Sequence, residues 1–331
     1  MDAVAAQLSE RLVVDPETGA SDAGVGADLT ERRSQYKNQS RLEESQAERR
    51  VQQLERQKRG RDDRLDRLRA LTADDGDEEE GMDTTVPSVF QYKKKEYYQS
   101  RYSNQLMFSE WMEEKPENLE ADWLLKMCPP GKRCLVVAKR RSTRAYSAAG
   151  ALLRTFPSLL PAGCRGPLGQ RPTLLDCIWD DAAGTFHVLD LICWNGHEVY
   201  ECETEFRFAW LASKLAESAD VASASRRNPY RFCAVPYTAC APAELAAAAA
   251  AAGRAADGAL FFHRGARYRP GVTPLVLWLK PFMLPEAVGV PMTAEELGAP
   301  TDYAGRAGFV AEFEEKRRKR RRPDRRQKME S

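Results

Sequence analysis

The run TPLVLWLKP, residues 273–281, carries the residues best suited to chemistry. Strand alternation sets Val276, Trp278 and Lys280 on one face and Leu275, Leu277 and Leu279 on the other, where the leucines can enter a core. An indole beside an ammonium suits nucleotide binding, the ring stacking on a base and the amine lying near phosphate. The same indole would serve equally as a half-buried core residue. A second candidate is Lys139 in LVVAKRRSTRAY, where Arg140 and Arg141 would lower an amine pKa by repulsion, as a nucleophilic lysine needs. A third group, Cys193, His197 and Cys202 in CWNGHEVYEC, lacks the Cys-x-x-Cys half of a zinc knuckle and is set aside. With only three histidines in the chain, a triad or a histidine-based metal site has little support, and no metal or cofactor is expected.

The elements that must position these residues lie in the middle of the chain. Of 331 residues, 43% are hydrophobic and 30% charged, and the net charge of +1 conceals a block distribution. An Arg/Glu/Gln-rich start gives way to the acidic run ADDGDEEE, and the basic run EEKRRKRRRPDRRQK lies far downstream. Between about Tyr97 and Tyr303, apolar and aromatic residues are dense enough to offset chain entropy. This predicts one globular domain over 97–303, an acidic linker over 73–96 and a disordered basic tail over 304–331, which could serve as a nuclear localisation signal or an RNA-contacting arm. No apolar run reaches membrane-spanning length, and the first residues lack the pattern of a secretory signal. Eight cysteines without a framework fit a reduced, intracellular protein.

Within the domain, DWLLKMC, RCLVVA, TLLDCIW, TFHVLDLICW and GALFFH read as strands, separated by PPGK, DDAAG, WNGH and HRGARYRPG turns. SNQLMFSEWMEE, FRFAWLASKLAE and PAELAAAAAAAG read as helices. Strands joined by short turns argue for an antiparallel sheet with helices to one side, an α+β fold.

Residues 31–71 are mostly helix formers, and from Glu43 their charges alternate at helical spacing. Val51, Leu54, Leu65 and Leu68 occupy coiled-coil seam positions, but Lys58 and Arg61 interrupt the seam. Such a helix has few apolar anchors and would order on an acidic partner, protein or nucleic acid. At the start, Met1, Val4, Leu8, Leu12 and Val14 form an amphipathic pattern suited to a hydrophobic groove.

Four segments in order, TLLDCIWD, TFHVLDLICWNG, ADGALFF and LVLWLKP, resemble the core of mRNA guanylyltransferases and nucleic-acid ligases. Those enzymes attack phosphate with the lysine of a Lys-x-Asp-Gly motif. The place matched to it here is Lys139, where Arg141 and Ser142 stand for Asp and Gly. Ile178 comes after Cys177 where the next motif has its glutamate, an acid that helps to hold magnesium and ribose. The resemblance therefore implies a nucleotidyltransferase-like fold without the transfer activity. An active guanylyltransferase using Lys139 is the alternative.

NQLMFSEWM, CPPGKRCLVVA, FPSLLPAG, FRFAWLASKL and GVTPLVLWLKP, together with RRSQYKNQSRLEESQAERR in the arm, resemble the snurportins, adaptors for the trimethylguanosine cap of spliceosomal small nuclear RNAs. The resemblance implies that Trp278 stacks the cationic base, with Phe108, Ser109 and Trp111 beside it. It also implies Lys280, Lys132, Arg133 and Cys134 near phosphate, with Cys128 on the preceding strand. Ala148 stands where that family has a phosphate-binding lysine, and Arg144 is the candidate to compensate. For the arm, residues 28–72, it implies binding to importin-β through Arg32, Arg33, Tyr36, Lys37, Arg49, Arg50, Arg56, Lys58 and Arg59. For residues 1–14 it implies a leucine-signal exportin with Ran-GTP. The expected protein is a monomer shuttling between nucleus and cytoplasm; an importin-binding protein that has lost cap binding is a further reading.

Overall fold

The computed structural model describes residues 44–59, 70–72, 101–165 and 171–321. Met1, Val4, Leu8, Leu12, Val14, Arg32, Arg33, Tyr36 and Lys37, with the acidic linker, lie outside the described residues. In chain order the elements are α1 (Gln46–Arg59), β1 (Met107–Trp111), α2 (Leu119–Asp122), β2 (Trp123–Cys128), β3 (Lys132–Lys139), β4 (Ser142–Ser147), β5 (Leu152–Phe156), β6 (Thr173–Asp180), β7 (Thr185–Trp194) and β8 (His197–Glu198). Next come α3 (Thr204–Glu217), β9 (Arg231–Ala234), β10 (Thr238–Ala239), α4 (Pro242–Ala252), β11 (Gly258–His263), β12 (Gly271–Leu279), α5 (Leu284–Val288) and α6 (Arg306–Arg321).

The strands form two sheets, one in the order β1-β12-β11-β2-β10 and one in the order β5-β4-β3-β6-β7-β8, with β9 pairing to β7. The pairs β1 with β12 and β7 with β9 are parallel and the others antiparallel, so the fold is the expected α+β type with mainly antiparallel sheets. Strand alternation divides the side chains into three cores. One lies between the sheets, with Leu260, Val276 and Trp278 from the first and Leu135, Leu174 and Ile178 from the second. A second covers the outer face of the first sheet, where Leu277 and Leu279 meet Leu245 of α4 and Leu284 of α5. A third covers the outer face of the second sheet, where Cys134, Val136 and Cys177 meet Leu211 and Leu215 of α3.

Two buried ion pairs are built on the second sheet, one joining β3 to β6 and the other joining α3 to β7. Arg207 of α3 holds Asp190 with both ends of its guanidinium, at 2.9 and 2.8 Å. Arg133 does the same to Asp176, at 2.5 and 2.8 Å, and the Tyr268 hydroxyl donates to Asp176 as well. Near the first pair, Lys126 is fully enclosed, donating to the Leu189 carbonyl at 2.6 Å and lying 3.5 Å from the centre of the Phe208 ring. Burial lowers its amine to about 7, with Asp190 opposing the shift.

Three expectations are corrected by the fold. MFSEW is strand β1, not part of a helix, because Met107–Trp111 hydrogen-bonds along β12 at the sheet edge. Tertiary pairing overrides a local pattern with no strong preference of its own. The segment expected as a disordered tail begins with helix α6, whose Phe309 and Phe313 pack on the domain. Finally, α1 needs no separate acidic partner to find contacts, because it lies on the domain through polar groups. Gln46 bridges the Trp111 carbonyl and the Glu113 amide, Arg49 pairs with Glu110 at 2.6 Å, and Gln57 accepts from the Arg267 amide. Arg50 lies buried over the Trp123 ring.

Candidate functional site

The first sheet brings the two tryptophans together. Trp111 at the end of β1 is in register with Trp278 on β12, and Trp278 is in turn opposite Leu260 on β11. Trp278 faces the space between the sheets with Val276, as alternation predicts, while Leu277 and Leu279 face the outer core. Its side chain is largely buried, at 7% exposure.

The seat of the indole is Gly258. A Cβ added there would fall 1.9 Å from one carbon of the benzo ring, so the ring can lie against the strand only because this residue has no side chain. Gly258 pairs with Cys128 across β11 and β2, and the Asp257 amide donates to the Cys128 carbonyl at 2.8 Å. Gly258→Ala is expected to force the indole off its seat. The change should cost about 1–3 kcal/mol of stability by overpacking and alter the near-ultraviolet circular dichroism of the tryptophans. An unaltered tryptophan signal would contradict this contact.

Lys280, just past β12, donates to Asp257 at 3.0 Å, with both side chains buried. Its ammonium is 5.9 Å from the centre of the Trp278 ring. Burial pushes the Asp257 carboxyl up, and Lys280 partly offsets that. The second carboxylate oxygen is buried with no hydrogen-bond partner among the described residues, an acceptor left open beside the indole's seat. Cys128 is fully enclosed, its thiol pushed up to about 12 chiefly by burial.

The remaining predicted residues divide between this place and others. Phe108 is buried in the core between the sheets, and Ser109, paired with Thr273, is half-buried. Trp111 is also half-buried and meets the edge of Phe313 at 5.5 Å. Lys132 is exposed at the start of β3. Two assignments near phosphate are corrected. The Arg133 guanidinium turns inward to Asp176 and the Met107 carbonyl, with its side chain 6% exposed. The Cys134 side chain points to the third core, on the opposite face of its sheet from Arg133. Lys280 too is held in an ion pair, so any anion it meets must share it with Asp257. Ala148 packs against the core between the sheets, and Arg144 is on β4, on the same face as Tyr146.

Lys139 ends β3 at a two-residue hairpin. Arg140 and Arg141, with φ of 53° and 64°, are the left-handed turn residues that close it. The whole of β3, roughly 23 Å at about 3.3 Å per residue, separates Lys139 from the β2–β3 turn beside Cys128. Among the described residues no cluster of His, Cys, Asp or Glu is arranged to hold a metal, Cys193, His197 and Cys202 included. Sequence reasoning missed Gly258, Asp257 and Asp176. Asp257 and Gly258 carried a signal in the ADGALFF run, as Asp176 did in TLLDCIWD.

Comparison with solved structures finds similarity to the ligase domain of M. tuberculosis LigD. The identity is 15% over 52% of this chain and 58% of that one, with a TM-score of 0.36. A mycobacterial DNA ligase D complexed with ATP and MES is similar at 16% identity, over 53% and 60% of the two chains, with a TM-score of 0.36. The chain thus spans about three fifths of the length of those ligase chains, and likeness at this level says nothing of activity. Residues 105–281, more than half of the chain and the part that holds Phe108, Trp111, Cys128, Trp278 and Lys280, match the family model described as Snurportin1, m3G cap-binding domain. By that match, which supports binding of the m3G cap, the chain belongs to the snurportin family.

Proposed function

We propose that the chain is a nonenzymatic nuclear import adaptor that takes up trimethylguanosine-capped small nuclear RNA and hands it to importin-β. The observation that carries the cap-binding half is the Trp278 indole seated on Gly258, with Trp111 in register on the next strand and the Lys280–Asp257 pair alongside. Methylation at N7 makes guanine cationic, and an indole face stabilises such a ring by stacking and cation–π attraction, about 1–3 kcal/mol. Trp111 supplies apolar surface for the added methyls and Ser109 a hydroxyl for the guanine edge, while Phe108 and Cys128, both buried, back the site from within the core. The doubly methylated exocyclic amine donates no hydrogen bond, so a pocket without an acceptor there favours it over the unmodified amine. The ring N1–H remains a donor, and the open oxygen of Asp257 is an acceptor for it. Lys132, exposed after the β2–β3 turn, is in this reading the cation that meets the triphosphate.

Absence of transfer chemistry is supported by Lys139 standing at the hairpin end of β3 with Arg140 and Arg141 spent on the turn. The arm serves importin-β. Arg56, Lys58 and Arg59 belong to α1, where Arg56 bonds Gln52 and Arg59 pairs with Glu55 of the same helix, whereas Arg49 and Arg50 must leave Glu110 and Trp123 to be read by a partner. Residues 1–14 then serve the exportin that returns the empty adaptor, and the protein shuttles as a monomer.

The deciding measurement is a tryptophan-fluorescence titration with trimethylated and monomethylated cap analogues. The expected result is saturable quenching, with the trimethylated cap bound more tightly. No quenching by either analogue, or a covalent GMP adduct after incubation with GTP and magnesium, would overturn the proposal.

A further inference from the structure

Helix α6 is tied to the domain at its start and middle by specific contacts. The Arg306 amide donates to Glu286 and its guanidinium to the Met112 carbonyl at 2.7 Å, one residue past Trp111. Phe309 packs on the edge of Phe282 at 5.2 Å, and one turn later Phe313 packs on Trp111 at 5.5 Å. The helix therefore runs from the outer core towards Trp111, and its last two turns start beside that residue. They consist of Glu314, Glu315 and then KRRKRR, residues 316–321, all within the helix. At 1.5 Å per residue, positions 317–321 lie about 6–12 Å along the axis beyond Phe313. Neither cap recognition nor the importin arm uses this charge.

We propose that the basic end of α6 binds the phosphodiester backbone of the RNA attached to the cap. The inference rests on the cap-binding reading, which puts the 5′ end of the RNA next to Trp278 and Trp111. A chain leaving that point carries one negative charge per nucleotide, and a cation-dense helix end anchored at Trp111 lies close to its start. Five successive cations span more than one helical turn, so they offer charge without a fixed base contact, which suits sequence-independent phosphate binding. The cap would then supply identity and α6 added affinity that depends on salt.

The test uses the full chain and the variant Arg317→Gln, Arg318→Gln, Lys319→Gln, Arg320→Gln, Arg321→Gln, which leaves Phe309 and Phe313 in place. The ligands are a trimethylguanosine cap dinucleotide, a capped RNA of about ten nucleotides and the same RNA without a cap, at several salt concentrations. The unaltered chain should bind the capped RNA at least about tenfold more tightly than the dinucleotide at low salt. That advantage should decline with salt by a slope of about 0.7 for each phosphate contact. The variant should bind the dinucleotide as before and lose the advantage. Equal binding of dinucleotide and capped RNA by the unaltered chain, or an advantage that survives in the variant, would overturn the inference and leave cap recognition intact. A chain that ignores the dinucleotide yet holds uncapped RNA through these residues would refute cap recognition and uphold the RNA surface. Capture of a polyglutamate peptide through the same residues, with no gain for capped RNA, would reject it in favour of an acidic protein partner.

Discussion

Trp278→Ala is expected to weaken binding of a trimethylguanosine cap by roughly 10- to 100-fold, the loss of one base-stacking platform. Calorimetric titration would measure it, because the variant loses one of the six tryptophans whose emission a quenching experiment reads and its signal is no longer comparable with the parent's. The substitution has a second consequence, since the indole is 7% exposed and belongs to the core between the sheets. Truncating a buried tryptophan costs about 3–5 kcal/mol, so the variant's urea transition must be recorded beside its affinity. Trp278→Phe separates the two effects. It keeps a ring on Gly258 and most of the buried surface, and it should lose only a few-fold in affinity. A Trp278→Ala protein that still folds and binds the cap as the parent does would make this residue a core tryptophan and nothing more.

The sequence made that residue visible because a strand in a sandwich has a period of two and both faces of β12 are buried. Leucines on alternate positions marked the outer core, and the indole and ammonium were left on the opposite face, turned to the second sheet. Long apolar strands such as β6 and β7 were legible for the same reason. Other features were not, and each failure has a physical origin. MFSEW has no preference strong enough to resist pairing along β12 more than 160 positions away, so local reading made it helical. The basic run hid the Phe309 and Phe313 spacing that gives α6 an apolar face. Gly258 read as part of a common Asp-Gly pair, while its reason for being glycine lies twenty residues on, in the ring of Trp278. The apparent freedom of α1 came from its lack of apolar anchors. Its contacts are hydrogen bonds and an ion pair from Gln46, Arg49 and Gln57, which no hydrophobic pattern can announce.

Arg133 shows the same limit where it matters most for function. Its place after a tight turn suggests a cation for phosphate, yet its guanidinium is committed to Asp176, 43 positions away. Arg133→Met would leave that carboxylate buried with the Tyr268 hydroxyl as its remaining side-chain donor, and would remove the donor to the Met107 carbonyl at the start of β1. Breaking one side of such a pair costs about 3–5 kcal/mol, read as a lower urea midpoint. Replacing both partners, Arg133→Met with Asp176→Met, should recover most of it, since no charge is then left stranded. The pH dependence comes from the same picture. Burial already pushes the Asp176 carboxyl up, and without Arg133 its folded-state pKa rises further above the unfolded value. A carboxyl raised on folding favours the folded state when protonated, so the single variant's deficit should shrink as pH falls through the carboxylate range and widen as pH rises. A phosphate-binding Arg133 would behave otherwise. Its methionine variant would melt with the parent at every pH while cap affinity fell, and that pair of results would return the residue to the binding site.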